Sequence, residues 1–232
     1  MDVVPPVDLT DWKPLLHRHN INPDELNHRD GDPYSRHNTA RREINRTTDR
    51  VPFIYRHATP DLPEIHNWID TLVAASLISQ GHKPTATLAH GRSLLLLGPT
   101  GVGKTHQAYG ALRDLAVTGV ALNWLATSSA DMYAALRPRS GVDSETEFRR
   151  YAHARLLLID DLGAAKASEW TEEINFRLVN NRYENQLPTL FTSNVLPGEL
   201  TNRVGDRVAS RLIEMCDRVV ITGNDRRRQA AA

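Results

Sequence analysis

A run of four leucines, Leu94–Leu97, enters Gly98-Pro99-Thr100-Gly101-Val102-Gly103-Lys104-Thr105, and no other junction constrains the fold as strongly. The pattern G-x-x-x-x-G-K-[ST] is met at every fixed position. A short apolar run bounded by Gly and Pro reads as a buried parallel strand. After the loop, His106 to Thr118 place Ala108, Leu112, Leu115 and Ala116 at helical spacing. Strand, glycine-rich loop and helix, in that order, make a phosphate-binding loop. Gly98, Gly101 and Gly103 let successive backbone N–H groups surround phosphate oxygens without Cβ clashes. The positive end of the following helix adds to that field. Lys104 is placed to reach β- and γ-phosphates, and the Thr105 hydroxyl to ligate Mg²⁺. The whole stretch Gly98 to His106 is therefore predicted to contact a nucleoside triphosphate together with Mg²⁺.

At 232 residues the chain can hold one good-sized α/β domain plus a small appendage. A hydrophobic content of 40% supplies a sizeable core, yet no apolar run approaches the ~18–20 residues of a membrane span. The start, MDVVPPVDLTDW, lacks the basic flank and apolar core of a secretory signal. One cysteine, Cys216, excludes an internal disulfide and a multi-cysteine zinc ribbon, which fits a reducing, cytoplasmic setting. Lys+Arg and Asp+Glu balance at 28 each, so nucleic-acid contact would have to come from a local patch.

Residues 1–50 are polar, rich in His, Arg, Asn, Asp and Pro, and poor in apolar periodicity. They read as a small appended module or flexible arm that docks on a partner. Leu9, Trp12, Leu15 and Leu16 give one short amphipathic turn interrupted by Pro14. Arg42, Arg46 and Arg50 would form a basic stripe on a helix. His17, His19, His28 and His37 lack the Cys or acidic ligands of a metal site and read as solvent-facing. From residue 51 onward the composition is that of a folded domain, 51–232. A helix is predicted over Pro63–Ser79 with Gly81 as its stop. Further strands are predicted over Val120–Ala126, Arg155–Asp161, Thr189–Thr192 and Arg218–Thr222. Between them come a helix from Ser128 or Ser129 to Arg137, one opened by a Ser144-x-x-Glu147 capping box, Glu169–Glu184 and Asp206–Glu214. Alternating strands and helices mean a parallel sheet flanked by helices.

Four apolar residues followed by Asp160-Asp161 form a Walker B pattern. Asp160 is placed to hold the magnesium, and Asp161 to orient or deprotonate an attacking water. Asn194 ends a strand in Thr192-Ser193-Asn194, where it can reach the γ-phosphate or the water. Arg207 and Arg211, four apart, share a helix face opposite Val208, Leu212 and Met215, as candidates for charge stabilisation across a subunit interface. Arg226, Arg227 and Arg228 offer a γ-phosphate sensor or a DNA contact. Arg137, Arg139, Arg149, Arg150 and Arg155 could supply phosphate contacts.

Taken in order, GPTGVGKTH, LLLIDDLG, WTEEINFRLVNNRYE, PTLFTSN, GDRVASRLIEMC and GNDRRR resemble the DnaC/IstB branch of AAA+ ATPases over roughly residues 51–232. The resemblance implies an AAA+ core with sheet order 5-1-4-3-2 and a vestigial lid. It implies Lys104 and Thr105 as the Walker A pair, Asp160 and Asp161 as Walker B, and Asn194 as sensor 1. Arg207 or Arg211 would be the arginine finger acting in trans, and Arg228 or Arg227 the second sensor. Asp161 stands where many such enzymes carry Glu. The implied function is ATP-dependent loading of a DnaB-type hexameric helicase onto single-stranded DNA, with self-association on the helicase and no membrane. The alternatives are an IstB-like partner of a transposase acting on duplex DNA and a non-hydrolysing ATP-binding adaptor. A small-molecule kinase would leave Asn194 and the two arginines without a role.

Overall fold

The leucine run forms β1 (Ser93–Leu97), and every residue in it is buried, as a strand covered on both faces requires. The computed structural model describes residues 7–28, 30–139, 141, 143–165, 168–195, 197–223 and 225. Among them β1 belongs to a five-stranded sheet with β2 (Trp124–Ser128), β3 (Leu156–Asp160), β4 (Thr189–Ser193) and β5 (Cys216–Val220). All pairings are parallel. The order β2-β3-β4-β1-β5 is the implied 5-1-4-3-2 arrangement counted from the other edge. In register, Leu97 pairs with Ser193 and Val220, and Ser128 with Asp160. Parallel strands in this register bring the residues that follow β1, β3 and β4 to one rim of the sheet.

In chain order the helices are α1 (Lys13–Arg18), α2 (Pro23–Leu26), α3 (Arg36–Arg50), α4 (Pro63–Gln80), α5 (Lys104–Ala116), α6 (Ser129–Leu136), α7 (Ser144–Ala152), α8 (Glu169–Glu184), α9 (Leu200–Val204) and α10 (Asp206–Met215). The chain divides into two compact units. One runs to Ala89 and takes in His106–Leu122; the other holds His90–Thr105 and everything from Asn123.

The sheet unit is built on a period of two. Leu95 and Leu97, Leu157 and Ile159, and Phe191 join one apolar cluster with Met132, Phe148, Leu178, Val208 and Leu212 from α6, α7, α8 and α10. The intervening Leu94, Leu96, Leu158 and Leu190 are fully buried too. α8 opens on a capping box, Ser168 with Thr171, which satisfies the first orphan N–H groups of the helix. Arg182 on α8 is fully buried. It donates to the carbonyls of Tyr151, Ala152, Ala154 and Pro188 at 2.8–3.2 Å and to the Thr189 hydroxyl at 2.7 Å. One guanidinium thereby ties the end of α7 to the starts of β3 and β4.

In the other unit, polar groups do much of what apolar periodicity did not announce. Leu9, Trp12, Leu15 and Leu16 are buried, and Pro14 opens α1, where a missing N–H is harmless. The buried Asp114 carboxylate takes Arg18 at 3.2 Å and His19 at 2.6 Å. Arg113 lies over the Trp12 ring at 4.5 Å and donates to the carbonyls of Ala58 and Asp11. His19 is therefore held against a buried carboxylate and is not a scattered surface histidine. Of the basic stripe, Arg46 bonds the buried Glu43 at 3.0 Å and Arg42 bonds the Pro33 carbonyl at 2.6 Å.

Several boundaries differ from those expected. The strand predicted over Val120–Ala126 begins at Trp124. Ala121 instead bridges Thr87 and exchanges backbone hydrogen bonds with Ala86 and Leu88, and Asn123 turns the chain at φ 46°. α7 is capped by Asp143, whose carboxylate accepts from the N–H groups of Glu145 and Thr146; Ser144 is the first helical residue. β5 starts at Cys216, two residues before the predicted Arg218, because all five of its residues pair with β1.

Candidate functional site

Space dictates Gly98, where a Cβ would run into the Ile221 carbonyl. Backbone conformation dictates Gly101, which holds φ 87°, a region that side chains resist. Pro99 and Thr100 are exposed at the loop tip, and Val102 is buried beneath it.

Lys104 is buried, and its ammonium donates to the carbonyls of Gly98 and Pro99 at 2.8 Å each and to Asn194 Oδ1 at 2.6 Å. The Thr100 hydroxyl also approaches Asn194 Oδ1, at 3.4 Å. On its other side, Asn194 donates through Nδ2 to the Asp161 carboxylate. Asn194 thus joins the loop lysine to the second acid of the Walker B pair. The Thr105 hydroxyl donates to Asp160 Oδ1 at 3.0 Å, with Oδ2 at 3.3 Å. A hydroxyl beside a carboxylate is an oxygen donor set of the kind Mg²⁺ takes, so Thr105 and Asp160 fit the ion assigned to them.

Asp161 sits at φ 60°, left-handed for a residue with a side chain. Its neighbours hold it there. The Asp161 N–H donates to the Thr192 hydroxyl at 2.9 Å, and its carbonyl accepts from the Ser129 hydroxyl at 2.8 Å. The next N–H, on Leu162, bonds the Thr192 carbonyl at 2.8 Å. Strain of this kind persists only where the surroundings over-determine it. The Asp161 carboxyl is raised above its ordinary pKa, first by burial and then by the Asp160 charge, with Lys104 opposing.

Gly98 through Thr105, Asp160, Asp161 and Asn194 therefore meet at the rim formed by β1, β3 and β4. His106 follows on α5 and is half-buried. Arg207 and Arg211 lie on α10, where Val208, Leu212 and Met215 face inward as expected. Arg207 covers the Phe176 ring at 4.2 Å; Arg211 covers Tyr183 at 4.4 Å and pairs with Glu214 at 3.3 Å. These aromatic and acidic partners lie outside the phosphate-loop cluster. Arg226, Arg227 and Arg228 lie outside the described residues. Thr192 went unassigned in the sequence; it lies on β4, two residues before Asn194. Beside the sheet, Tyr133, Arg137, Arg139 and Trp170 help to line a groove of about 920 Å³. No helix among the described residues is long and apolar enough to cross a membrane.

The family model described as IstB-like ATP binding protein matches residues 80–232. The chain is 28% identical over 123 residues to the replicative helicase loader DnaC of Escherichia coli strain K12, covering 52% of this chain and 49% of that protein. It is 30% identical over 130 residues to the ATP-binding protein of insertion sequence IS5376 from Geobacillus stearothermophilus, covering 55% and 49%. The chain thus spans about half the length of these curated relatives. Among solved structures, the crystal structure of the DnaC helicase loader matches with a TM-score of 0.56 at 22% identity, over 74% of this chain and 100% of that one. At that identity the likeness speaks to the fold, a five-stranded parallel sheet with its flanking helices.

Proposed function

The chain belongs to the IstB-like ATP binding protein family, and on that footing we propose that it is an ATPase that loads a DnaB-type replicative helicase onto single-stranded DNA. The observation that carries the ATPase part is the Asn194 amide, held between Lys104 and Asp161. A γ-phosphate placed there meets the lysine, the sensor amide and the acid that would orient water, so bond cleavage changes what all three hold. Lys104 has three N–H donors, and two carbonyls and Asn194 already take three bonds. Reaching phosphate therefore means trading at least one of them, which couples nucleotide binding to the loop and to β4. Thr105 and Asp160 would hold Mg²⁺, which when bound neutralises charge on the β- and γ-phosphates.

Loader activity further requires a grip on single strands and a second copy of the chain. Exposed Arg137 and Arg139 beside Trp170 combine cation and aromatic face, the pairing that suits an unpaired strand. Arg207 or Arg211 would reach a neighbouring subunit's γ-phosphate. A second reading, an ATPase partner of a transposase on duplex DNA, is favoured by the IS5376 relative and by the family itself.

The deciding experiment offers the full chain a DnaB-type hexamer, with ATP, in size-exclusion chromatography. A complex that forms for the parent and weakens for Lys104→Ala supports the loader. ATP-dependent duplex binding without a helicase complex supports the transposition partner and overturns the first reading.

A further inference from the structure

We infer that Thr192 is a positioning residue that locks the Walker B pair for metal binding. This rests on the nucleotide-site reading above, but it concerns a residue which that reading leaves without a role. Thr192 is buried, and its hydroxyl makes two bonds of opposite sense. It donates to Asp160 Oδ1 at 2.5 Å and accepts from the Asp161 N–H at 2.9 Å. A hydroxyl has one proton, so the acceptor bond from Asp161 leaves that proton for Asp160. One side chain on β4 thereby sets both consecutive acids of β3: the carboxylate of the first and the backbone of the second.

Two hydroxyls converge on the same oxygen, since Thr105 also donates to Asp160 Oδ1. Two donors arriving from different elements fix the rotation of the carboxylate. Thr105 lies in the first turn of α5, directly after the phosphate loop, whereas Thr192 sits on the central strand of the sheet. The register makes the contact natural: Ile159 pairs with Phe191, so Asp160 and Thr192 are the next residues along adjacent strands. A Val at 192 would keep the shape and remove the hydroxyl. Asp160 would keep only Thr105, and the Asp161 N–H would lose its partner just where φ is 60°. Partners that orient metal ligands typically contribute about 10–100-fold in metal affinity or activity.

The test compares ATP binding with Mg²⁺ and with EDTA, by titration calorimetry, for the parent, Thr192→Val and Thr192→Ser. The parent should bind ATP more tightly with Mg²⁺. Thr192→Val should lose about 10-fold of that enhancement while binding in EDTA stays as in the parent, and Thr192→Ser should restore it. A Thr192→Val protein with the parent's full enhancement overturns the role, as does a loss that is equal with and without the metal. A parent that binds no ATP, or gains nothing from Mg²⁺, would instead sink the nucleotide-site reading itself.

Discussion

Asp161 is where stability and the proposed chemistry pull apart. Its folded-state pKa lies above the ordinary value through burial and the neighbouring Asp160 charge. The folded chain therefore keeps this proton to higher pH than the unfolded chain does, and stability falls as pH rises through that window. At neutral pH the ionised carboxylate is a cost to folding. Asp161→Asn removes the charge, keeps a residue that tolerates the left-handed conformation, and still offers Asn194 an acceptor. We expect the variant to melt at a higher temperature than the parent at pH 7, with the difference vanishing toward pH 3, while ATP turnover is lost. Equal melting at pH 7 would show that neighbours fully compensate the charge. The parent's turnover should also fall on the acid side at a pH above the usual Asp range, since the ionised form is the one that accepts a proton. A kcat profile measured from pH 4 to 8 locates that limb.

Among the elements, α8 shows how a buried cation can organise a junction without a carboxylate among its described partners. Burial lowers the Arg182 pKa to about 9, so the guanidinium remains charged at neutral pH with its donors on carbonyl and hydroxyl oxygens. Removing it by Arg182→Met strands several buried acceptors at once. With about 1–3 kcal/mol for each buried group left unsatisfied, we expect a loss of at least ~3 kcal/mol. For a chain of this size that is roughly a 10 °C drop in Tm, measurable by differential scanning calorimetry. A drop of only a degree or two would mean that water replaces the guanidinium. Nothing in the spacing around Arg182 announced this role; a lone Arg within a polar helix reads as surface. The same limit applies to residues 7–50. α3 buries Asn38, Thr39, Arg41, Glu43 and Thr47 beside only Ala40 and Ile44, so apolar periodicity could not mark its inner face. β1 and β3 were legible because their apolar runs are continuous, and Lys104, Asp160 and Asn194 because loop and strand ends have fixed chemistry. Thr192 needed the register between β3 and β4, which no spacing within one strand supplies.

At the scale of the whole molecule, the site assembled from one chain holds the loop, both acids and the sensor amide, while Arg207 and Arg211 stack on Phe176 and Tyr183. A flat aromatic face orients a guanidinium without taking its N–H donors, although Arg211 gives one of its own to Glu214. That geometry suits an arginine presented outward, and under the proposed function a second copy of the chain would bring the phosphates it meets. If so, the loss of a lysine and the loss of an arginine must be separable between subunits. Lys104→Ala protein should be inactive because its own loop no longer holds nucleotide, yet its arginines are intact. A variant with Arg207→Ala and Arg211→Ala should bind ATP normally and turn over about 10³-fold more slowly or worse. Mixing the two inactive proteins, with the helicase or DNA that gathers them, should restore turnover, because an arginine-deficient subunit then faces an intact arginine. Repeating the mixture with each single arginine variant assigns the finger. Recovery that stays at zero for every mixture, while both variants still assemble, would place the arginines in service of their own subunit and remove the need for a neighbour in the site.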